Sequence, residues 1–317
     1  MGSHLMLHHL KQGDIVLGVD NFCSSKEKSP QLTQINAFHR GRIAFHDITD
    51  HLAELYRRIS EFRRNPFAMA QNETFDVIYN FACPASPPIY QSMPIETMMT
   101  CTLGTKNMLE LARQHGAVLV HASTSEVYGD PESSPQSEVY KGNVNSYGPR
   151  ACYDEGKRAA EALCYDFLHR YNTDARLVRI FNTYGPHMDP YDGRVVSNFI
   201  NQALIGEPLT IYGDGQQTRS FCYVDDLIRG IVTMGEIRSN PGVPINLGNP
   251  NEFTVNALAA AVVRRLGGTV TRKPLPIDDP TQRKPDITRA QSFLDWVPTI
   301  ELEEGIDRTV EYFKRVV

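Results

Sequence analysis

No stretch of this 317-residue chain approaches eighteen consecutive apolar side chains, the length a membrane-spanning helix needs. Met1 is not followed by the charged and apolar segments of a signal peptide. There is no basic tract either: net charge is −5, and a nucleic-acid partner is not indicated. The six cysteines (Cys23, Cys83, Cys101, Cys152, Cys164 and Cys222) include no Cys-x-x-Cys pair, which leaves a disulfide framework or a thiolate metal site poorly supported. Reduced thiols in a cytoplasmic protein fit better. The ten histidines lack ligand spacing, and the adjacent His8 and His9 read as a solvated or capping surface of a first helix. No metal site, internal repeat or low-complexity tract is expected. What remains is an ordinary soluble composition, 41% hydrophobic and 22% charged, long enough for one domain plus a smaller lobe.

Two local patterns carry the chemistry. Residues 117–123 form a short apolar run that reads as a buried parallel strand. Ser123, Thr124, Ser125 and Glu126 follow at its carboxyl end, where open α/β sheets place their ligands. A hydroxyl there can bond a substrate oxygen, and the carboxylate beyond it can reach a neighbouring carbon. Further on, Tyr153 and Lys157 are spaced to share one face of a helix. A phenol beside an ammonium favours the phenolate and lowers the tyrosine pKa towards neutrality, which makes Tyr153 a candidate base for a sugar hydroxyl. Each pattern alone has a plain alternative: a Ser/Thr turn capping the strand, and a surface Tyr/Lys pair. Their order along the chain argues for a site.

Residues 14–20 read as a strand ending in Asp20. An acid there in a dinucleotide fold accepts hydrogen bonds from the adenosine ribose and repels a 2′-phosphate, implying NAD over NADP. Residues 42–48 and 75–82 read as further strands. Between them, residues 50–73 carry Arg57, Arg58, Arg63 and Arg64 and read as a solvated helix and loop. Helices over 96–115 and 151–171 are expected to pack face to face. After a strand over 176–181, Pro186, Pro190, Gly193, Pro208, Gly213 and Gly215 punctuate a loop-rich stretch. A helix over 225–235 and a strand over 245–248 follow, and 251–317 alternates helices with a proline-rich connection. The expected fold is α/β, a Rossmann-like doubly wound parallel sheet over residues 1–183. Residues 225–250 return to that sheet, and a smaller substrate lobe occupies 184–317.

Several ordered motifs carry a resemblance. They are Asn80-Phe81-Ala82-Cys83-Pro84-Ala85-Ser86-Pro87-Pro88, Ser123-Thr124-Ser125-Glu126-Val127-Tyr128-Gly129 and Gly148-Pro149-Arg150-Ala151-Cys152-Tyr153-Asp154-Glu155-Gly156-Lys157-Arg158. Arg179-Ile180-Phe181-Asn182, Asp192-Gly193-Arg194-Val195, Tyr212-Gly213-Asp214-Gly215 with Arg219, and Gln282-Arg283-Lys284-Pro285-Asp286-Ile287 continue the series. Together they resemble the UDP-glucuronate decarboxylases (UDP-xylose synthases), extended short-chain dehydrogenases/reductases. The resemblance implies that bound NAD serves a redox-neutral decarboxylation through a C4-keto sugar. It implies catalytic roles for Thr124, Ser125, Glu126, Tyr153, Lys157 and Arg219. Cofactor contacts fall on Gly2, Asp20, Asn21, Asp47, Ile48, Ala82 and Pro84, with Tyr153 and Lys157. Contacts to the UDP-sugar fall on Pro84, Glu126, Tyr153, Asn182, Arg194, Val195, Tyr212, Arg219 and Arg283. It also implies a homodimer built on the helices over 96–115 and 151–171.

One expected part is missing. A dinucleotide-binding fold opens with a strand, a glycine-rich turn and a helix. Met1-Gly2-Ser3-His4-Leu5 matches only the last glycine of that turn and the start of its helix. Two inner strand edges should then be exposed, and most of the phosphate cradle lost. Three explanations are open: Met1 is internal to a longer protein, the sequence has been trimmed with Gly2-Ser3-His4 as a cloning scar, or the short form is real and binds NAD weakly. Rival readings are a dTDP-glucose 4,6-dehydratase, which needs an acid where Ser125 stands, a 4-epimerase, which has no use for Glu126, and a cofactor-impaired pseudoenzyme that binds nucleotide sugars.

Overall fold

The computed structural model describes residues 1–24, 30–38, 41–63, 74–274 and 282–317, in which short apolar runs alternate with amphipathic helices. Strands β1 (Val16–Asp20), β2 (Gly41–Phe45), β3 (Val77–Asn80), β4 (Val118–Thr124) and β5 (Ala175–Ile180) form within or close to the runs read from sequence. β3, β4 and β5 pair in parallel, and the strand Ile245–Leu247 returns to pair with β5. Register sets Asn80 beside His121 and Thr124 beside Ile180. β4 is buried along nearly its whole length, as a strand covered on both faces should be.

β1 and β2 pair only with each other, as a separate parallel sheet. Among the described residues no strand lies between β1 and β3, and both keep partly exposed side chains. The parallel sheet is therefore broken at its centre, where two open inner edges were expected. Helix α1 (Gly2–Gln12) links the two halves. Leu5 joins the main core, while Leu7 and Leu10 pack with Ile35 against Val16 and Ile43. Gly18 permits the close approach, since a Cβ there would meet Met6 Sδ at 2.7 Å. His9 on α1 is no solvated surface residue: its Nδ1 lies 2.8 Å from Asp14 and its Nε2 3.2 Å from the Tyr79 hydroxyl. It fastens α1 to β3.

After α2 (Pro30–Ala37) and β2, helix α3 (Leu52–Arg63) is solvated on one face only. Arg57 and Arg58 pair with Glu54 and Glu61, whereas Leu55 and Ile59 are buried. Arg64 and the rest of the stretch to residue 73 lie outside the described residues, as do 275–281 of the proline-rich connection. Helices α4 (Pro87–Ser92) and α5 (Pro94–Met99) lead to α6 (Thr105–His115), and Thr100–Gly104 joins α5 to α6 as a widened π turn. These helices pack along α7 (Ala151–Tyr171), whose Gly156 lies directly against Cys101.

Helix α8 (Val195–Leu204) stands where sequence suggested only loops, and it buries Val196, Phe199 and Ile200. The strand Thr218–Ser220 lies between Glu252–Thr254 and Gln282–Arg283, which sets Arg219 beside Arg283. Helix α9 (Val224–Glu236) packs back on β4 and β5. Its Asp226 carboxylate accepts from the backbone of Thr299 and Ile300, and Trp296 Nε1 donates to the Asp226 carbonyl at 2.9 Å. That network holds the C-terminal segment. Among the described residues no helix is long and apolar enough to cross a membrane.

Candidate active site

The end of β4 and the first turns of α7 face each other. Thr124 caps the helical turn Ser125–Tyr128, its hydroxyl accepting from the Glu126 amide at 3.3 Å. Tyr153 and Lys157 are both buried on α7, and the Tyr90 ring of α4 stacks on Tyr153 at 5.0 Å with the planes 5° apart. The Lys157 ammonium donates to the Ala122 carbonyl of β4 at 2.7 Å. Its Nζ is 6.0 Å from the Tyr153 ring centre.

This geometry overturns one expectation. Burial pushes the Tyr153 phenol well above its ordinary value, Cys83 adds to the rise, and Thr124 and Arg194 pull it down only in part. The phenol is not lowered towards neutrality by Lys157. Desolvation of an enclosed phenol outweighs an ammonium that is committed to a backbone carbonyl.

Beside this pair lies a charge cluster. One Glu126 carboxylate oxygen accepts from Arg150 and, at 2.7 Å, from Arg283. Burial works to raise the Glu126 carboxyl, but Arg283 and Arg150, with a contribution from Arg219, hold it below the usual value. Asp154 goes the other way. Burial and the Glu126 charge push it up to about 7, against the pull of Arg150, whose Nε is 3.6 Å away. Two acids with pKa values driven apart mark one as charged and one as protonated near neutral pH. Among the described residues Asp154 Oδ1 and the Tyr90 hydroxyl are buried without a hydrogen-bond partner.

Arg283, expected among substrate contacts, is thus buried against Glu126 and the Gly129 carbonyl. Arg219 donates to the Thr218 carbonyl at 2.9 Å and faces the cluster electrostatically. Arg194 donates to the Ala85 carbonyl at 3.1 Å, and Val195 follows it at the start of α8. Asn182 is partly exposed, and its carbonyl accepts from the Cys222 amide. Tyr212 is exposed at the end of the strand Leu209–Tyr212. Sequence reasoning named no role for Arg150, Asp154 or Tyr90. The spacing of Arg150 and Asp154 on either side of Tyr153 was a usable signal; Tyr90 offered none.

A cavity of about 1470 Å³ opens at the break in the sheet. Gly2, Asp20, Asn21, Asp47, Ile48, Ala82, Cys83, Pro84 and Arg194 line it. Asp20 closes β1, its carboxylate accepting from the Phe22 amide at 2.7 Å, and Asn21 donates to Asp47 at 2.7 Å. A Cβ on Gly2 would meet nothing within 4 Å, so the first turn of α1 presents bare backbone. These residues fit a dinucleotide. The acid suits a ribose diol, the helix start suits a phosphate, and the volume exceeds what a drug-sized ligand needs. Among the described residues no cluster of His, Cys, Asp or Glu is arranged for a metal.

A parallel sheet with an acid at a strand end beside one cavity, and a buried tyrosine and lysine at another strand's end, defines a dinucleotide-dependent α/β enzyme. The chain belongs to the NAD dependent epimerase/dehydratase family, whose profile matches residues 1–248, and its cofactor is NAD. UDP-glucuronic acid decarboxylase 1 of Xenopus tropicalis is 45% identical over 317 residues, spanning 99% of this chain and 70% of the relative. UDP-glucuronic acid decarboxylase 3 of Arabidopsis thaliana is 43% identical, spanning 99% of this chain and 86% of its own length. Among solved structures, UDP-glucose 4-epimerase of Thermotoga maritima with UDP-glucose superposes with a TM-score of 0.85 at 27% identity, over 99% of this chain and 96% of that one. A UDP-glucuronic acid 4-epimerase from Bacillus cereus, with NAD and a fluorinated UDP-glucuronic acid, gives 0.85 and 27% over 100% and 96%.

Proposed function

We propose that this chain decarboxylates UDP-glucuronate to UDP-xylose, the activity that the names of its relatives print. The observation that carries the reading is the ionised Glu126, clamped by Arg150 and Arg283 in the turn that also holds Thr124 and Ser125. Tyr153, with Thr124, takes the proton of the sugar C4 hydroxyl. With the C4 hydride passed to the acceptor that bound NAD would supply, C4 is a ketone β to the C6 carboxylate, so the C5–C6 bond breaks, carbon dioxide leaves, and the electron pair passes into an enolate. Proton return at C5 gives the 4-keto pentose, which return of the hydride to C4 would convert to the product. Glu126 and Ser125 assist carboxylate loss and reprotonation. Arg283 and Arg219 supply the counter-charge, for which a guanidinium is well shaped. A 4,6-dehydration would need an acid in place of the Ser125 hydroxyl, which is buried and no strong acid.

When bound, NAD supplies a hydride acceptor at C4, the same hydride for return, and a positive charge beside the phenol. Gly2 would hold its pyrophosphate, Asp20 and Asn21 its adenosine ribose, Asp47 and Ile48 its adenine. Ala82, Pro84, Tyr153 and Lys157 would hold the nicotinamide half. Asn182, Arg194, Val195 and Tyr212 would receive the uridine diphosphate, with the lobe over 184–317 as its platform.

The active unit is a homodimer. Ile95, Met99 and Leu103 form an exposed apolar stripe at helical spacing along α5 and the π turn, and Tyr165 is exposed on α7. Six free thiols support a reducing, cytoplasmic setting. The deciding experiment incubates the chain with UDP-glucuronate and NAD and follows the mass of the sugar nucleotide. Loss of one carbon dioxide is expected; a 4-keto-6-deoxy sugar or a mass-neutral epimer would overturn the assignment.

A further inference from the structure

Two thiols approach each other next to the catalytic tyrosine. Cys83 Sγ and Cys101 Sγ are 3.3 Å apart, although 18 residues separate them in the chain. Cys83 sits between Ala82 and Pro84 in the segment linking β3 to α4, and its side chain helps line the cavity. Cys101 is buried, 1% exposed, inside the π turn that joins α5 to α6. Behind it Gly156 supplies no side chain: a Cβ there would lie 3.0 Å from the Cys101 Cβ and 3.2 Å from its sulfur. Gly156 immediately precedes Lys157, so the sulfur pair lies against the turn of α7 that carries both Tyr153 and Lys157.

We propose that Cys83 and Cys101 are a reversible dithiol–disulfide site, oxidised by a small peroxide that enters through the cofactor cavity, and that the disulfide form of the enzyme turns over slowly. A disulfide needs its sulfurs to close from 3.3 Å to about 2.05 Å. Cys83 lies outside helix and strand, between Asn80 of β3 and Pro87 of α4, so its sulfur can close the gap without breaking a ladder of backbone hydrogen bonds.

The chemistry closes without further components. As the Cys83 proton passes across the 3.3 Å contact to the Cys101 thiolate, a peroxide transfers one oxygen to the Cys83 sulfur, giving a sulfenic acid; the hydroxide or alkoxide it releases takes the proton back from Cys101 and leaves as water or alcohol. The Cys101 thiolate attacks that sulfur, the S–S bond forms, and the sulfenic oxygen leaves as water. A hydrogen bond from Cys83 brings the Cys101 thiol down to about 7 against its burial, and the nearby Lys157 charge helps. Cys83 correspondingly holds its proton more tightly than an ordinary thiol. An external dithiol reverses the bond by exchange.

One consequence slows the enzyme. The disulfide ties the Ala82–Pro84 segment, which would carry the nicotinamide half of NAD, to the helix behind it. This inference concerns a covalent state of the chain and stands whichever sugar is the substrate.

The test treats the full chain with a modest excess of hydrogen peroxide, with and without saturating NAD, followed by intact mass, peptide mapping and turnover. The expected product has lost two hydrogens, with the Cys83 peptide joined to the Cys101 peptide. Turnover should be at least about tenfold lower, as small displacements at a reacting centre produce, and dithiothreitol should restore it. NAD should slow the modification by covering Cys83. Cys101→Ala should form no cross-link and should accumulate a sulfinic acid on Cys83 instead. A wild-type cross-link through Cys152 or Cys23, overoxidation of Cys83 with Cys101 untouched, or a Cys83–Cys101 cross-link that leaves turnover unchanged would each overturn the proposal. The wild-type map decides even if the variant fails to fold.

Discussion

The guanidinium of Arg283 lies 2.7 Å from the carboxylate of Glu126, although 157 residues separate the two in the chain. Arg283 is buried, and the same carboxylate oxygen also accepts from Arg150. Removing Arg283 leaves the Glu126 charge with Arg150 as a remaining partner, so its compensation is reduced and not lost. Arg283→Ala should therefore lower unfolding free energy by about 1.5–3 kcal/mol and abolish measurable turnover. Arg283→Lys should restore most of the stability and little of the activity, because an ammonium does not reproduce the two-pronged donor. Denaturant unfolding beside steady-state kinetics separates the two effects. Full activity in the lysine variant would remove Arg283 from the chemistry.

Asp154 gives stability a pH dependence of its own. Its carboxyl is raised to about 7 in the folded chain, so the native state holds a proton there that the unfolded chain releases from its ordinary value of 3.8 upward. Between those values the folded state binds more protons, and this group makes stability fall as pH rises. Glu126 has the opposite sign, since its lowered pKa contributes stability above its ordinary value of 4.5 that is lost on acidification. Asp154→Asn should leave stability unchanged near pH 4 and raise it above pH 7, on the order of 2 kcal/mol relative to wild type. Denaturation midpoints across that range are the measurement. A constant offset at all pH values would place the titration elsewhere.

Tyr153 is the catalytic candidate whose hydroxyl can be removed while its ring contacts remain. Tyr153→Phe keeps the stacking on Tyr90 and should melt close to wild type. Its kcat should fall by roughly 10²–10⁴, the usual contribution of a positioned base, with KM little changed. Lys157→Met should lose stability as well, about 1–3 kcal/mol, since the buried Ala122 carbonyl loses its donor. Equal melting temperatures for these two variants would argue against that structural share of Lys157.

Cofactor choice follows from Asp20 at the end of β1. NAD at a hundred times its dissociation constant should stabilise the chain by about 2.7 kcal/mol, seen as a raised melting temperature. NADP should give little shift at the same concentration, because its 2′-phosphate meets the Asp20 carboxylate. No shift with either would support the reading as a nucleotide-sugar-binding protein that does not take the cofactor.

The exposed stripe on α5 and the π turn tests the dimer. Ile95→Lys alters a residue 73% exposed in one chain and should leave its melting temperature within the small range of surface substitutions. Sedimentation should show wild-type dimer and variant monomer. A wild-type monomer would locate no partner on this face.

The local part of this protein was legible in its residues. Apolar runs and helical periods are short-range signals, and they placed β1, β3, β4, β5, α7 and α9. Thr124 at a strand's end and Tyr153 with Lys157 one helical turn apart needed nothing beyond that. Tertiary structure decided what those groups experience. The Tyr153 phenol rises because it is enclosed, a property of all the elements around it rather than of the Tyr-x-x-x-Lys spacing. Arg150 meets Glu126 when the start of α7 packs on the turn after β4, Arg283 meets it when the small sheet carrying Gln282–Arg283 packs there too, and no local pattern encodes either contact. That no described strand lies between β1 and β3 agrees with the partial fingerprint at Met1-Gly2-Ser3-His4-Leu5. That the chain nevertheless bridges the break, through Leu5, Leu7, Leu10 and His9 of α1, follows from packing, which acts on residues the sequence keeps far apart.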